Sequence, residues 1–231
     1  ELVPDGYHVD GWLLLINGVQ SSHVIVGQPR MLDFEYMRWI AAVLDSHIQT
    51  HLNPEKLRIT HLGGGACSLA RYCADVYPNS RNTVVELDAK LAEYVREWFD
   101  IPKSPRVKIR VGDAGTVTRS FAPASRDVVI RDVFAVDKTP AELTSVDFVR
   151  TVDHSLAPGG LYILNCGDDR TLNAARAEAA RQQSAAQAAQ ARVAALEAKL
   201  REIEAQQTER GLLVTLGDVL FEFGKADLLA A

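Results

Sequence analysis

Leu57-Arg-Ile-Thr-His-Leu-Gly-Gly-Gly-Ala-Cys-Ser-Leu-Ala-Arg-Tyr-Cys73 is a short apolar run, a glycine turn and the start of a helix. Ile59 and Leu62 lie in a strand-like segment that stops at Gly63, Gly64 and Gly65, and Leu69, Ala70, Cys73 and Ala74 then recur at helical spacing. Glycine there allows positive φ and lets a ligand approach the main chain without meeting a Cβ. The helix that follows points its free N–H groups at the same place. By itself the triple glycine is equally the tight turn of any α/β protein. The next strand, Thr83-Val-Val-Glu-Leu-Asp88, adds a carboxylate, Glu86, 21 residues after Gly65, close to the spacing at which an acid receives a ribose diol.

Downstream the strand and helix patterns keep alternating. Leu87 to Phe99 reads as a helix, Arg106-Val-Lys-Ile-Arg-Val111 as a strand and Asp127-Val-Val-Ile-Arg-Asp132 as another. Thr144 to Leu156 is a helix stopped by Pro158-Gly-Gly160, and Leu161-Tyr-Ile-Leu-Asn-Cys166 is the fifth strand. Such alternation predicts a parallel sheet with helices on both faces, and ligands in such sheets bind beyond the carboxyl ends of the strands. Four polar features fall there: the turn Gly63 to Ser68, Glu86, Asp113 and Asp132. One carboxylate at a strand end is commonly a helix cap, whereas carboxylates on successive strand ends point to a site.

Upstream, Gly11-Trp-Leu-Leu-Leu-Ile and Val19 to Val26 flank Asn17-Gly18, a hairpin signal, so residues 1–30 are expected to form a β-hairpin region. Asp33 to His51 carries Phe34, Met37, Ile40, Ala41 and Leu44 on one helical face. His47 and His51 are one turn apart on that helix, but no third metal ligand accompanies them, and surface histidines near a helix end are the simpler reading. Net charge −5 and a scattered basic complement exclude an electrostatic nucleic-acid binder. The three cysteines have no metal-ligand spacing, so reduced thiols in a cytoplasmic protein, and no metal, are expected. Neither a secretory signal nor a membrane span is expected; the chain begins at Glu1 rather than Met, as a fragment would.

Residues 12 to 170 resemble spermidine synthase and its relatives, within the class I S-adenosylmethionine-dependent methyltransferase superfamily. The matching segments are Leu14-Leu-Ile-Asn-Gly-Val-Gln-Ser21, Phe34-Glu-Tyr36, Leu62-Gly-Gly-Gly65, Val84-Val-Glu-Leu-Asp88, Arg106-Val-Lys-Ile-Arg-Val-Gly-Asp-Ala114, Asp127-Val-Val-Ile-Arg-Asp132 and Leu156-Ala-Pro-Gly-Gly160. The resemblance implies that Gln20 touches a nucleoside, that Gly63, Gly64 and Gly65 lie against the amino-acid end of the ligand, and that Glu86 binds the ribose hydroxyls. It also implies that Asp113 and Ala114 face the adenine and that Asp132 is the general base. The co-substrate implied is S-adenosylmethionine or its decarboxylated form, with an amine acceptor near Tyr36. Physically, a carboxylate within reach can take a proton from an ammonium as it becomes a nucleophile, and a sulfonium leaves readily once donor and acceptor are held in line.

Three positions depart from the aminopropyltransferase pattern: Ala66 and Ala135 stand where the family carries acids, and Met37 stands where His or Gln is usual. All three bear on the amine half, where two buried positive charges need carboxylate partners. Weak or absent putrescine turnover is therefore expected, with Asp137 as a substitute acid.

From Leu172 the composition changes to Ala, Gln, Arg and Glu without Gly or Pro, predicting a long helix over 172–208. Val193, Leu196, Leu200 and Ile203 form a short apolar seam that would support a weak homodimer as a coiled coil, although a solvated spacer fits too. Residues 209–231 read as strand and turn, and with the Ala/Gln-rich helix resemble the linker and opening of OmpA-family proteins, which would place that part in the cell envelope.

The sequence thus predicts a Rossmann-like methyltransferase fold over 31–171 preceded by the hairpin region, with the usual terminal antiparallel strands missing or replaced, then the helix and a short β-tail. The function expected first is a spermidine-synthase-like transferase with a depleted polyamine site. A non-catalytic nucleoside-binding scaffold with an oligomerising helix is the alternative. An NAD-dependent oxidoreductase is a further one, against which Ser68 occupies the place of the dinucleotide fingerprint's third glycine.

Overall fold

A computed structural model describes residues 1–134 and 138–166, together with residues 183–184, 186–196, 198, 213–216 and 219–222. The chain divides into two units, Glu1–Gly167 and Asp168–Ala231. In the first, β1 (Leu2–Pro4), β2 (Gly11–Ile16) and β3 (Val19–Ile25) form an antiparallel sheet in the order β1-β2-β3. The hairpin read from Asn17-Gly18 is present, with both residues at positive φ (51° and 78°), as a type I′ turn requires. β1 extends it to three strands, pairing Leu2 with Leu14.

The remaining elements are α1 (Glu35–His51), β4 (Arg58–Leu62), α2 (Ser68–Val76), β5 (Arg81–Glu86), α3 (Ala89–Trp98), β6 (Val107–Val111), α4 (Ala114–Arg119), β7 (Arg126–Arg131), α5 (Val146–Ser155) and β8 (Leu156–Leu164). The five strands β6-β5-β4-β7-β8 pair in that order, and all are parallel. This is the expected Rossmann-like sheet. Its strand order reverses direction at β4, so the switch point lies between the carboxyl ends of β4 and β7.

The period-2 alternation along each strand sends residues to the two faces of the sheet, where three apolar clusters form. Ile59, Val128 and Ile130 pack against Met37, Ile40, Leu44 and Ile48 of α1 and Leu69 and Cys73 of α2. Val84 and Val107 meet Ala70 and Ala74 of α2, Val95 of α3, and Leu14 and Val24 of the small sheet. On the opposite face Leu62, Val85 and Val129 pack against Val117 of α4 and Phe148 and Val152 of α5. The spacing of Met37, Ile40, Leu44 and Ile48 makes the inner stripe of α1. Leu44 and Ile48 are fully buried, each contributing about 1.5–3 kcal/mol relative to exposure.

One boundary differs from expectation. Pro158-Gly-Gly160 does not separate helix from strand: β8 starts at Leu156, directly after α5, and contains all three residues. Between the pairs Arg126↔Leu156 and Val128↔Leu161 the register shifts, so the extra β8 residues bulge. Among the described residues β8 has a paired neighbour only on the β7 side, and proline is tolerated on such an edge because its missing N–H costs no ladder bond there.

In the second unit residues 186–196 are helical, with Val193 and Leu196 exposed. Leu200 and Ile203 of the apolar seam lie outside the described residues. β9 (Leu213–Leu216) and β10 (Val219–Glu222) pair antiparallel, as read from the tail, and form a sheet of two strands. Among the described residues the parallel sheet has five strands, and no helix is long and apolar enough to cross a membrane.

Candidate active site

The turn after β4 is fixed by contacts that only glycine permits. Gly63 has φ +91°, and a Cβ there would lie 2.1 Å from the Asp132 carbonyl oxygen. The carboxyl ends of β4 and β7 lie side by side at this point, with Asp132 N–H donating to the Leu62 carbonyl at 2.8 Å. A Cβ on Gly64 would lie 2.8 Å from Glu86 Oε2, and one on Gly65, itself at φ +48°, 2.5 Å from Ser22 Oγ. The triple glycine is therefore where β7, β5 and β3 each meet the turn backbone.

Glu86 leaves the end of β5 and turns towards that backbone. Its Oε2 accepts the N–H groups of Gly64 (2.9 Å) and Gly65 (3.2 Å), and its Oε1 accepts Asp88 N–H at 2.9 Å. Asp88 in turn caps α3 through Lys90 and Leu91 N–H. The start of α2 is held by β3: Ala66 N–H donates to Ser22 Oγ at 3.0 Å, and Ser68 Oγ donates to the His23 carbonyl at 2.9 Å. Its N-cap, Cys67, adopts the left-handed conformation (φ 60°) without a side-chain cap, and burial pushes the Cys67 thiol up to about 12, with the Glu86 charge adding to the shift. Cys67 is thus no thiolate nucleophile at neutral pH.

Asp113, after β6, caps α4 by accepting Thr116 N–H at 2.7 Å, which holds its carboxyl below the usual range. The same residue borders the cavity described below.

Asp132 follows β7 directly. Its Oδ2 accepts the Tyr36 hydroxyl and its Oδ1 the Asn165 amide, each at 2.9 Å. Burial raises the Asp132 pKa, opposed by the hydrogen bonds from Asn165 and Tyr36. Burial also raises the Tyr36 hydroxyl, reinforced by the Asp132 charge, so Tyr36 remains the donor. Three chain segments, α1, β7 and β8, thus converge on one carboxylate with a raised proton affinity, suited to accept a proton from a bound cation.

Tyr36, Glu86, Asp88, Asp113, Asp132 and Asn165 border one cavity of about 730 Å³, together with Gln20, Gly63, Gly64, Gly65 and Ala114. Five carboxylates line it, those of Glu86, Asp88, Asp113, Asp132 and Glu142, and among the described residues no lysine or arginine does. The fold therefore gathers the sequence-predicted residues Gln20, Tyr36, Gly63, Gly64, Gly65, Glu86, Asp113, Ala114 and Asp132 around one space. Asp137 and Ala135 lie outside the described residues.

Residues 38–199, well over half of the chain, match the family model of the spermine/spermidine synthase domain. The chain belongs to this family. A probable spermidine synthase from Corynebacterium glutamicum ATCC 13032, known as a crystal structure, is similar at 63% identity and TM-score 0.73, covering 76% of this chain and 63% of that one. The mouse eEF1A lysine and N-terminal methyltransferase is 33% identical over 128 residues, 51% of this chain and 18% of that protein. The polyamine aminopropyltransferase of Vibrio vulnificus (strain CMCP6) is 26% identical over 149 residues, 64% of this chain and 48% of that protein. The chain thus spans less than two thirds of each of these relatives. The family match also runs further towards the C-terminus than the segments that carried the resemblance, which stopped near residue 170.

Two of the positions that depart from the spermine/spermidine synthase pattern, Ala66 and Met37, lie among the described residues. Ala66 is fully buried, packs with Leu14, Val24 and Val84, and does not border the cavity. Its N–H is held by Ser22 Oγ from the β3 side. Met37 does border the cavity. Three residues gain roles that the sequence reading did not give them. Ser22 holds the α2 start, Asn165 holds Asp132, and Glu142 lines the cavity while pairing with Arg119 at 2.9 Å. Asn165 was detectable as a polar residue at the carboxyl end of a strand, the same signal that marked Glu86 and Asp132. Ser22 carried no such signal within its strand.

Proposed function

We propose that this chain is a transferase acting on an S-adenosyl sulfonium, and that its preferred co-substrate is decarboxylated S-adenosylmethionine rather than S-adenosylmethionine itself. The observation that carries this is the cavity wall, with five carboxylates and no lysine or arginine among the described residues. A decarboxylated donor brings a sulfonium and an ammonium but no carboxylate, so every charge on it faces an opposite one. S-adenosylmethionine adds a carboxylate to an already acidic space. A dinucleotide adds a pyrophosphate, whose negative charge meets the same carboxylates.

Glu86 would receive the ribose. Its Oε2 already accepts two N–H groups, whereas Oε1 accepts one and retains capacity for a hydroxyl. Chelation of a diol across both oxygens would exchange the glycine contacts for the ligand. Asp132 would take a proton from the acceptor ammonium. The amine lone pair then forms a bond to the carbon beside the sulfonium, the carbon–sulfur bond breaks, and sulfur keeps the electron pair. Tyr36 and Asn165 hold the Asp132 carboxylate for this step. The acceptor is proposed to be an amine, with putrescine a poor one because Met37 presents a thioether in the wall.

Product analysis by mass spectrometry tests the reading. The full chain is incubated with each donor and a set of amines from putrescine to longer polyamines. Release of methylthioadenosine with an aminopropylated amine is expected from the decarboxylated donor. Release of S-adenosylhomocysteine alone would make the chain a methyltransferase, and no product from either donor would favour a binding scaffold.

A further inference from the structure

Outside this cavity the small N-terminal sheet brings three metal-ligating side chains together. Asp5 follows β1, His8 lies in the loop to β2, and His23 is on β3. Asp5 Oδ2 lies 2.8 Å from His8 Nδ1 and 2.8 Å from His23 Nε2, and the three donor atoms are all within 4.8 Å of one another. We propose that Asp5, His8 and His23 form a binding site for a divalent first-row transition metal ion, best matched by Zn2+.

The carboxylate is aimed, not merely nearby. Its Oδ1 accepts the N–H groups of Tyr7 and His8, each at 2.8 Å, which turns Oδ2 towards both imidazoles. Gly11 leaves the room for it, since a Cβ there would lie 2.1 Å from Asp5 Oδ2. Two imidazoles and one carboxylate are a donor set that suits Zn2+, with further coordination positions left to water.

Exposure is arranged for entry. The Asp5 and His23 side chains are 4% exposed and that of His8 is 44% exposed, so one ligand can swing outward while two stay fixed. Zinc–nitrogen and zinc–oxygen bonds of about 2.0–2.2 Å separate neighbouring ligands by more than a hydrogen bond does, so both imidazoles, each 2.8 Å from Asp5 Oδ2, have to part from it by a few tenths of an ångström, His8 with the greater freedom. His23 Nδ1 is buried without a partner. A metal-bound histidine usually donates its second N–H to an acceptor, which adds to affinity, so micromolar rather than nanomolar binding is expected.

The site is also wired to the cavity. The His23 carbonyl accepts Ser68 Oγ, and the preceding residue, Ser22, accepts Ala66 N–H, both at the start of α2. An ion held by His23 would therefore stiffen the strand that supports the glycine turn.

The test uses untagged, chelator-treated full chain titrated with Zn2+ by calorimetry, with Co2+ absorption reporting the donor set. One ion per chain is expected at micromolar Kd, with at least a tenfold loss in His8→Ala and a rise in melting temperature on zinc addition that His8→Ala lacks. His8 is exposed, so this variant is expected to fold, and circular dichroism checks it. The paired variant His47→Ala/His51→Ala, which removes the stacked histidines of α1, is expected to bind as the unmodified chain does. Absence of binding, or binding that follows His47 and His51 rather than His8, overturns the proposal and leaves Asp5 as a hydrogen-bond acceptor for two imidazoles.

Discussion

Removing the Tyr36 hydroxyl should raise the pKa of Asp132 and make the cost of the change depend on pH. In Tyr36→Phe the Asp132 carboxylate loses a donor at 2.9 Å and, among the described residues, keeps the Asn165 amide. A hydrogen bond to a charged group contributes about 1.5–3 kcal/mol, against about 0.5–1.5 kcal/mol for a neutral pair. At about 1.4 kcal/mol per pKa unit, the difference between ionised and neutral Asp132 raises its pKa by about one unit. The sign follows from linkage. The Asp132 pKa is already raised by burial, so the stability tied to its protonated form is complete below the unfolded carboxylate value and is lost as pH rises through the folded one. The variant moves that folded value up, so it loses more than the unmodified protein at neutral pH and less in acid. NMR titration of the Asp132 carboxyl carbon reads the shift directly, and urea denaturation at pH 4 and pH 7 reads the stability. An unmoved Asp132 pKa, together with equal destabilisation at the two pH values, would refute the reasoning.

Gly63→Ala should destabilise the whole domain rather than ligand binding alone, by about 2 kcal/mol or more. Its Cβ would overlap the Asp132 carbonyl at 2.1 Å and its φ is +91°; a lowered urea midpoint with an unchanged slope checks this. Glu86→Gln should weaken methylthioadenosine binding by about 1–3 kcal/mol, since a neutral amide replaces a carboxylate and one of its ends cannot accept. Calorimetry showing unchanged affinity would remove Glu86 from the site.

The core of the fold was legible because its signals are local. The switch from strand to helix period at Gly63, and the carboxylates that close three successive strands, are written within a few residues of each other. Element ends were less legible where a tertiary contact decides them. The Pro158-Gly-Gly160 run looks like a loop in sequence, yet β7 pairs across it and makes it part of an edge strand. Ala66 follows three turn glycines, and the group that holds its N–H, Ser22 Oγ, lies 44 residues earlier. Asp132 was found from its strand end, whereas its partners Tyr36 and Asn165 lie 96 and 33 residues away. The grouping of Asp5 with His23 is equally non-local, resting on antiparallel pairing that places β1 and β3 on either side of β2.

The central claim is that an acidic, cation-accepting nucleoside cavity lies beyond the carboxyl ends of β4, β5, β6 and β7. Parallel calorimetric titrations of the full chain with decarboxylated S-adenosylmethionine, S-adenosylmethionine and NAD test it most directly. Binding should be tightest for the decarboxylated donor, weaker for S-adenosylmethionine and absent for NAD; NAD binding as tight as either sulfonium, or no binding of the sulfoniums, would contradict it.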